Sequence, residues 1–307
     1  MVPWPLRLPI AMAVVLGVIA IVADAPAGRA ASPGGRQEQA QTFTSRVQGV
    51  VVDVEVTRAG RPVAGLTKAD FEVRDNGVLQ DVDVLNGTDA PVHAVLALDV
   101  SSSTAGSRLT DLVAAGRAFL SGLHPAAGDQ AALTTFSHRV SLRSPLTSDL
   151  EAVRLALDRV QPSGDTALFD GIYTGLVTTQ TVLGAALVVV YTDGSDTASW
   201  LKASDVVDAA RHVNAVVEAV VVRGGHRIDA LKTILDATGG TIFTVDSTTG
   251  LASMFENILR DFRSRYVVTY MPRGVAPGGF HGLDVRVRGS SLKVNSRRGY
   301  FGTAGNH

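Results

Sequence analysis

The amino-acid sequence predicts an α/β fold with a doubly wound, mostly parallel sheet that is inserted in, or flanked by, a small β-sandwich. In the middle of the chain, runs that are apolar on both faces alternate with amphipathic helices, which is typical of a parallel sheet covered on both sides. On either side of that region, polar and apolar residues alternate with the period of half-buried strands. The length of 307 residues also favours about two domains.

The overall composition excludes several classes of protein. Hydrophobic residues make up 46% of the chain and charged residues 19%, which excludes a mainly disordered chain. The formal net charge of −1 gives no overall attraction to nucleic acid or anionic lipid, so we expect no nucleic-acid partner. The absence of cysteine from the sequence excludes disulfides, cysteine-ligated zinc, iron–sulfur clusters and thiol catalysis.

The N-terminus has the pattern of a secretory signal peptide. Arg7 precedes 16 uncharged, mostly apolar residues, 8–23, and Ala23-Asp24-Ala25 supplies a small-residue cleavage site. We therefore predict a signal peptide over residues 1–25 and export to the periplasm, the cell envelope or the medium. The alternative is an uncleaved membrane anchor, although 16 residues fall short of the roughly 20 that span a bilayer. Residues 26–44 are predicted to be a flexible linker.

The segment 45–90 is predicted to form the N-terminal half of the β-sandwich. Valine recurs at every second position from Val50 to Val56, which indicates a half-buried strand. Farther along, Asn76-Gly77 separates two strand-like runs, 71–74 and 78–85. This dipeptide suits a type I′ hairpin turn, because both central residues of that turn need positive φ.

The segment 91–265 is predicted to form the doubly wound α/β domain. Two of its apolar runs are followed by an acidic residue at the end of the strand, Asp99 and Asp193. Strands are predicted over 93–99, 131–136, 187–191, 216–222 and 241–245, with a short strand near Val140. Helices are predicted over 109–123, 150–160, 167–182, 203–212, 227–237 and 251–262.

The segment 266–303 is predicted to form the C-terminal half of the sandwich. Apolar residues occupy alternate positions in 266–270 and again in 283–288. Neither flank alone has enough strands to bury one face of a sheet. We therefore predict a single sandwich split by the α/β domain, with two independent β appendages as the alternative.

Three short motifs carry the oxygen-rich side chains of the α/β domain. They are Asp99-Val-Ser101-Ser-Ser103, Gly164-Asp-Thr166 and Tyr191-Thr-Asp193-Gly194. In an open α/β sheet, ligands bind at the carboxyl ends of the strands, where we expect all three motifs to meet. Carboxylates and hydroxyls suit a hard cation such as Mg²⁺. Each motif alone also fits a helix cap or a turn, and only the combination favours a metal site.

The spacing Asp99-x-Ser101-x-Ser103, followed by Thr166 and Thr-Asp193-Gly, resembles the metal-ion-dependent adhesion site of von Willebrand factor type A domains, over roughly residues 92–264. The resemblance implies a Rossmann-like fold and a site for Mg²⁺, Mn²⁺ or Ca²⁺. It implies that the two serines and the threonine contact the metal directly or nearly so, and that the aspartates act through water. An acidic residue of a partner protein would complete the coordination.

Two further features extend this interpretation. Asp170 follows Thr166 by one helical turn and is expected to orient the metal ligands from a second layer, with a solvated helix charge as the alternative. The flanks, including Asp75-Asn-Gly77 and the closing Arg297-Arg-Gly-Tyr-Phe301, are similar to a bacterial VWFA-related family first described from acidobacteria. Members of that family are mostly exported, and the similarity implies no activity.

These observations together predict an exported, metal-dependent protein-binding module and not an enzyme. A Gly-x-Ser-x-Gly elbow is absent from the sequence, and the spacing places no histidine as a general base. A cell-envelope scaffold with a stabilising metal and a metal-assisted hydrolase are the alternatives. A membrane contact is expected only if the N-terminal segment stays uncleaved.

The last predicted helix also carries a group of basic residues. Arg260, Arg263 and Arg265 are expected on the exposed side of this helix.

Overall fold

The computed structural model describes residues 49–87, 90–180, 182, 184–223, 229–289 and 291–302. The predicted signal peptide, 1–25, and the predicted linker, 26–44, lie outside the described residues. Within the described ranges, no helix is both long and apolar enough to cross a membrane.

The N-terminal flank consists of short strands separated by turns. These strands are β1 (Val50–Arg58), β2 (Arg61–Pro62), β3 (Phe71–Asp75), β4 (Val78–Leu79) and β5 (Val82–Asn86). The β3–β4 hairpin turns at Asn76 and Gly77, which both have positive φ as predicted for this dipeptide.

The central domain alternates strands and helices in chain order. Its elements are β6 (Val92–Asp99), α1 (Ser107–Ser121), β7 (Gln130–Phe136), β8 (Val140–Thr147), α2 (Leu150–Leu157), α3 (Leu168–Thr178), β9 (Ala185–Thr192), α4 (Ala203–His212), β10 (Val216–Val222), α5 (Asp229–Thr238), β11 (Ile242–Val245) and α6 (Leu251–Arg263).

These strands form one six-stranded sheet in the order β11-β10-β9-β6-β7-β8. All neighbours are parallel except the edge strand β8, which runs antiparallel to β7. Helices α1, α2 and α6 pack on one face of the sheet, and α3, α4 and α5 pack on the other. The prediction of a mostly parallel sheet covered on both faces is therefore confirmed.

The C-terminal flank returns to strands after α6. These strands are β12 (Tyr266–Tyr270), β13 (Gly279–Val287), β14 (Lys293–Asn295) and β15 (Gly299–Gly302). Strand β1 pairs with both β12 and β14, and β12 also pairs with β5. Strand β13 lies between β3 and β15 in a second antiparallel sheet. Each of the two sheets thus combines strands from both flanks.

A hydrophobic cluster lies among these flanking strands. It includes Val54 of β1, Val73 of β3 and Val268 of β12, so both flanks and both sheets contribute to it. The rings of Phe71 and Tyr266 meet edge to face with centroids 5.2 Å apart. The Tyr266 hydroxyl donates a hydrogen bond to the Val63 carbonyl at 2.8 Å.

The expected exposure of the arginines around the end of α6 is only partly right. Arg260 is exposed and Arg263 is half-buried against Asp129. Arg265 is 3% exposed, and its guanidinium lies 2.6 Å from the buried Glu218 carboxylate. The prediction was wrong for Arg265 because helical periodicity does not apply beyond α6, which ends at Arg263, and Arg265 directly precedes β12.

Candidate functional site

Three loops meet at the carboxyl edge of the central sheet. One follows β6, one precedes α3 and one follows β9, and these loops carry the three oxygen-rich motifs. The Ser102 amide donates a hydrogen bond to the Gly164 carbonyl at 2.9 Å, which joins the first loop to the second. Parallel neighbours β6 and β9 end side by side, so their terminal acidic residues lie at the same edge.

Asp99 is fully buried at the end of β6. Its Oδ1 atom accepts a hydrogen bond from the Ser101 amide at 2.9 Å, and its Oδ2 atom accepts one from the Thr192 hydroxyl at 2.7 Å. Burial raises the pKa of the Asp99 carboxyl, although the hydrogen bonds from Ser101 and Thr192 oppose this shift. The side chain is thus held in one orientation by its own loop and by β9.

Hydroxyl groups connect the first motif to Asp193. The Ser101 and Ser103 hydroxyl oxygens lie 3.0 Å apart, and the Ser103 hydroxyl donates to Asp193 Oδ1 at 2.7 Å. Asp99 joins this series of hydrogen bonds by accepting the Ser101 amide. Four of the five residues predicted to bind a metal therefore share one hydrogen-bonded group, although 90 positions separate Ser103 from Asp193.

Thr166 is fixed beside this group by the loop that follows β9. Its amide donates to the Thr197 hydroxyl at 3.0 Å, and its carbonyl accepts from the amides of Thr197 and Ala198 at 2.9 and 3.0 Å. A Cβ atom on Gly194 would lie 3.6 Å from the Thr166 hydroxyl oxygen. This distance is ordinary van der Waals contact, so the second and third motifs lie next to each other here.

The Asp170 side chain contacts the same loop, and none of its hydrogen bonds among the described residues goes to another predicted site residue. Its two carboxylate oxygens accept hydrogen bonds from the amides of Trp200 and Leu201 at 3.0 and 2.9 Å. In return, Asp196 accepts from the Leu168 amide at the start of α3. These reciprocal bonds fix the loop that holds Thr166, and they present Trp200 with 95% of its surface exposed.

The sequence analysis missed two residues of the site, Thr192 and Arg108. The Arg108 guanidinium donates to Asp193 Oδ2 at 2.6 Å and to the Ser103 carbonyl at 3.3 Å. Arg108 lies in the first turn of α1, where a positive charge opposes the helix dipole. That unfavourable placement is the signal in the sequence that could have identified it.

The chemistry of this group of side chains fits a hard cation. Two buried carboxylates and three hydroxyls provide only oxygen ligands, which are the atoms that Mg²⁺ and Ca²⁺ prefer. Among the described residues, no cluster of three or more histidine, aspartate and glutamate side chains is placed to hold a metal. A cation at this edge would therefore need the hydroxyls of Ser101, Ser103 and Thr166 as well as the two aspartates.

In doubly wound α/β proteins, ligands bind outside the carboxyl ends of the strands, which is the edge where this group of oxygen-bearing side chains lies. Residues 94–195 match the family model of von Willebrand factor type A domains. A search of curated proteins finds no match.

Solved structures with the same fold include proteins from distant sources. A von Willebrand factor type A protein from Catenulispora acidiphila has a TM-score of 0.51 and 12% identity, with 84% of this chain and 75% of that chain covered. Proximal thread matrix protein 1 from the mussel byssus has a TM-score of 0.51 and 20% identity, covering 62% of this chain and 50% of its own. Another structure of that mussel protein has a TM-score of 0.51 and 19% identity, with 62% of this chain and 50% of that chain covered. In that structure, zinc occupies the MIDAS motif, the metal-ion-dependent adhesion site.

Proposed function

We propose that this protein is an exported protein-binding module in which a divalent cation accepts a carboxylate from a partner protein. Asp99, Ser101, Ser103, Thr166 and Asp193 would hold the cation, with Mg²⁺ as the preferred ion and Mn²⁺ or Ca²⁺ as substitutes. The observation that carries the proposal is the hydrogen-bonded group joining Asp99, Ser101, Ser103 and Asp193. A bound cation would supply a positive centre for an acidic residue of the partner.

A binding role agrees with the hydrogen bonds of the serines. In the described part of the chain, the Ser101 hydroxyl is bonded to Ser103 and the Ser103 hydroxyl to Asp193. These contacts orient oxygen atoms toward one another. A nucleophilic serine would instead need a general base such as histidine within hydrogen-bonding reach. The proposal therefore assigns these residues to binding and not to catalysis.

The proposed organisation follows the chain. Residues 1–25 would direct export and 26–44 would link the leader to the folded part. Residues 45–90 and 266–303 would form one split sandwich that carries the metal-binding domain, 91–265. Pairing of β1 with β12 and of β3 with β13 supports the split, because each pair joins one strand from either flank.

Binding of Mg²⁺ to the purified full-length chain tests the metal site. We expect saturable binding by isothermal titration calorimetry, and we expect Asp99→Asn to weaken it by about 10–100-fold because the substitution removes one of two buried charges. Asp158→Asn is the matched control, since Asp158 pairs with Arg117 outside the site. Equal affinities of the wild type and Asp99→Asn would contradict the proposal.

The partner chemistry can be tested with displayed peptides. Panning a random peptide library on the immobilised chain in Mg²⁺ is expected to enrich sequences with aspartate or glutamate, and EDTA is expected to release them. The Asp99→Asn variant, panned in the same way, should retain far fewer of these peptides. Recovery that does not respond to EDTA would refute a metal-dependent interface. A Mg²⁺-dependent rise in melting temperature without enriched peptides would favour the scaffold alternative.

A further inference from the structure

We infer that Arg108 is a tethered cation that competes with a divalent ion for Asp193 and thereby sets the metal affinity of the site. The inference rests on the proposed function, because it concerns the same group of residues. An arriving ion must either displace the Arg108 guanidinium from Asp193 or bind beside its positive charge.

The contacts of Arg108 place its charge directly on the site. One guanidinium nitrogen lies 2.6 Å from Asp193 Oδ2 and 3.3 Å from the Ser103 carbonyl. The other carboxylate oxygen of Asp193 accepts the Ser103 hydroxyl. Both oxygens of Asp193 are therefore engaged, one by a neutral donor and one by a full positive charge.

Burial makes this ion pair asymmetric. The Asp193 side chain is 0% exposed, whereas the Arg108 side chain is 46% exposed. Asp193 is therefore fixed at the strand end, while Arg108 reaches it from the surface on a long and flexible stem. Release of the guanidinium into water needs no rearrangement of the core, so an arriving cation can take its place.

Within the part of the chain that the structure describes, the ion pair of Arg108 is formed with Asp193. Arg108 lies at the N-terminal end of α1, where the positive end of the helix dipole opposes its charge. The first turn of α1 contains no acidic residue that could offset this repulsion. Arg117, farther along the same helix, forms its ion pair with Asp158. Among the described contacts, Arg108 has Asp193 as its acidic partner, which indicates that the site holds it in place.

The competition follows from Coulomb's law. A divalent ion at the hydroxyl group would lie close to the guanidinium, and the two positive charges would repel each other. The same guanidinium also neutralises one of the two carboxylates that attract the ion. Replacing Arg108 by a neutral residue of similar length is therefore expected to tighten Mn²⁺ binding by about tenfold, since both effects disappear together.

Calorimetric titration of the full chain with Mn²⁺ alone tests the inference. We expect Arg108→Gln to bind about tenfold more tightly than the wild type, and Arg108→Lys, which keeps the charge, to stay close to the wild type. Arg117→Gln removes the same charge from the same helix and should leave the affinity unchanged. A second measurement is the melting temperature, for which Mn²⁺ should produce a larger increase in Arg108→Gln than in the wild type.

The outcomes separate this inference from the proposed function. If the wild type binds Mn²⁺, Asp99→Asn binds it more weakly and Arg108→Gln binds it no more tightly than the wild type, the role of Arg108 is refuted and the metal site stands. Tighter binding by Arg108→Lys as well would also refute it, because the charge would then be irrelevant. If neither the wild type nor Arg108→Gln binds the ion, the proposed function itself fails.

Discussion

Replacing Arg265 by methionine is expected to lower the free energy of unfolding by about 3–5 kcal/mol, because it leaves a buried carboxylate without its counter-charge. Arg265 and Glu218 are 3% and 4% exposed, and their charged atoms lie 2.6 Å apart. Arg265 also donates to the Gly239 carbonyl at 3.0 Å. The pair links the start of β12 to the middle of β10, so its loss affects both the flank and the central sheet.

Urea unfolding monitored by circular dichroism measures this effect. Arg260→Met is the matched control, since Arg260 is exposed near the end of α6, five positions before Arg265, and should change stability by at most about 0.5 kcal/mol. The double variant Arg265→Met, Glu218→Gln should recover part of the loss, because position 218 then carries no buried charge. A single variant as stable as the control would contradict this account of Arg265.

The pH dependence of the same variant provides a second readout. Burial raises the pKa of Glu218 to about 7, against the opposing charge of Arg265. The pKa of Glu218 is therefore higher in the folded chain than the ordinary value of 4.5 in the unfolded chain. Protonation of Glu218 stabilises the folded state, and this stabilisation is fully present below about pH 4.5 and is lost as the pH rises through about 7. The destabilisation of Arg265→Met should therefore be larger at pH 8 than at pH 5, where protonation neutralises Glu218.

Much of the central domain could be predicted because its physical signals are local. The predicted helix 203–212 and strand 216–222 match α4 and β10 in both bounds. An apolar strand between amphipathic helices has few alternatives once both its faces must be covered. Since parallel strands have their carboxyl ends at one edge of a sheet, the ends of β6 and β9 were expected to lie together. The structure brings Asp99, Ser101, Ser103 and Asp193 together at that edge.

The ion pairs could not be predicted because they depend on long side chains and on distant parts of the sequence. Arg108 and Asp193 are 85 positions apart, and Glu218 and Arg265 are 47 apart. Glu218 did leave a local signal, since it is an acidic residue inside an otherwise apolar strand. A buried carboxylate needs a partner, but the pattern of the strand does not identify which arginine supplies it.

Replacing Asp75 by alanine is expected to cost about 3–5 kcal/mol, since it removes the shared acceptor of a buried polar cluster. Asp75 is 0% exposed in β3. Its Oδ2 atom accepts from the hydroxyls of Tyr270 and Tyr300 at 2.9 and 2.8 Å, and its Oδ1 atom lies 2.7 Å from Nδ1 of the buried His281. Without the carboxylate, the Tyr270 hydroxyl and the His281 ring, which are 4% and 1% exposed, would each lose a buried partner.

Urea unfolding of Asp75→Ala checks this expectation, and Asp83→Ala is its control. The Asp83 side chain is 85% exposed in β5, so its removal should change stability by at most about 0.5 kcal/mol. A loss for Asp75→Ala as small as that of the control would show that the cluster contributes little to folding.

The same cluster tests whether the two flanks form one folded unit. Asp75 belongs to the N-terminal flank, whereas Tyr270, His281 and Tyr300 belong to the C-terminal flank. In a split sandwich, a double-mutant cycle between Asp75→Ala and Tyr300→Phe should give a coupling energy of about 0.5–3 kcal/mol. Two independent β appendages predict additive effects, because a residue of one appendage would not depend on the other. The coupling energy therefore distinguishes the proposed sandwich from its alternative.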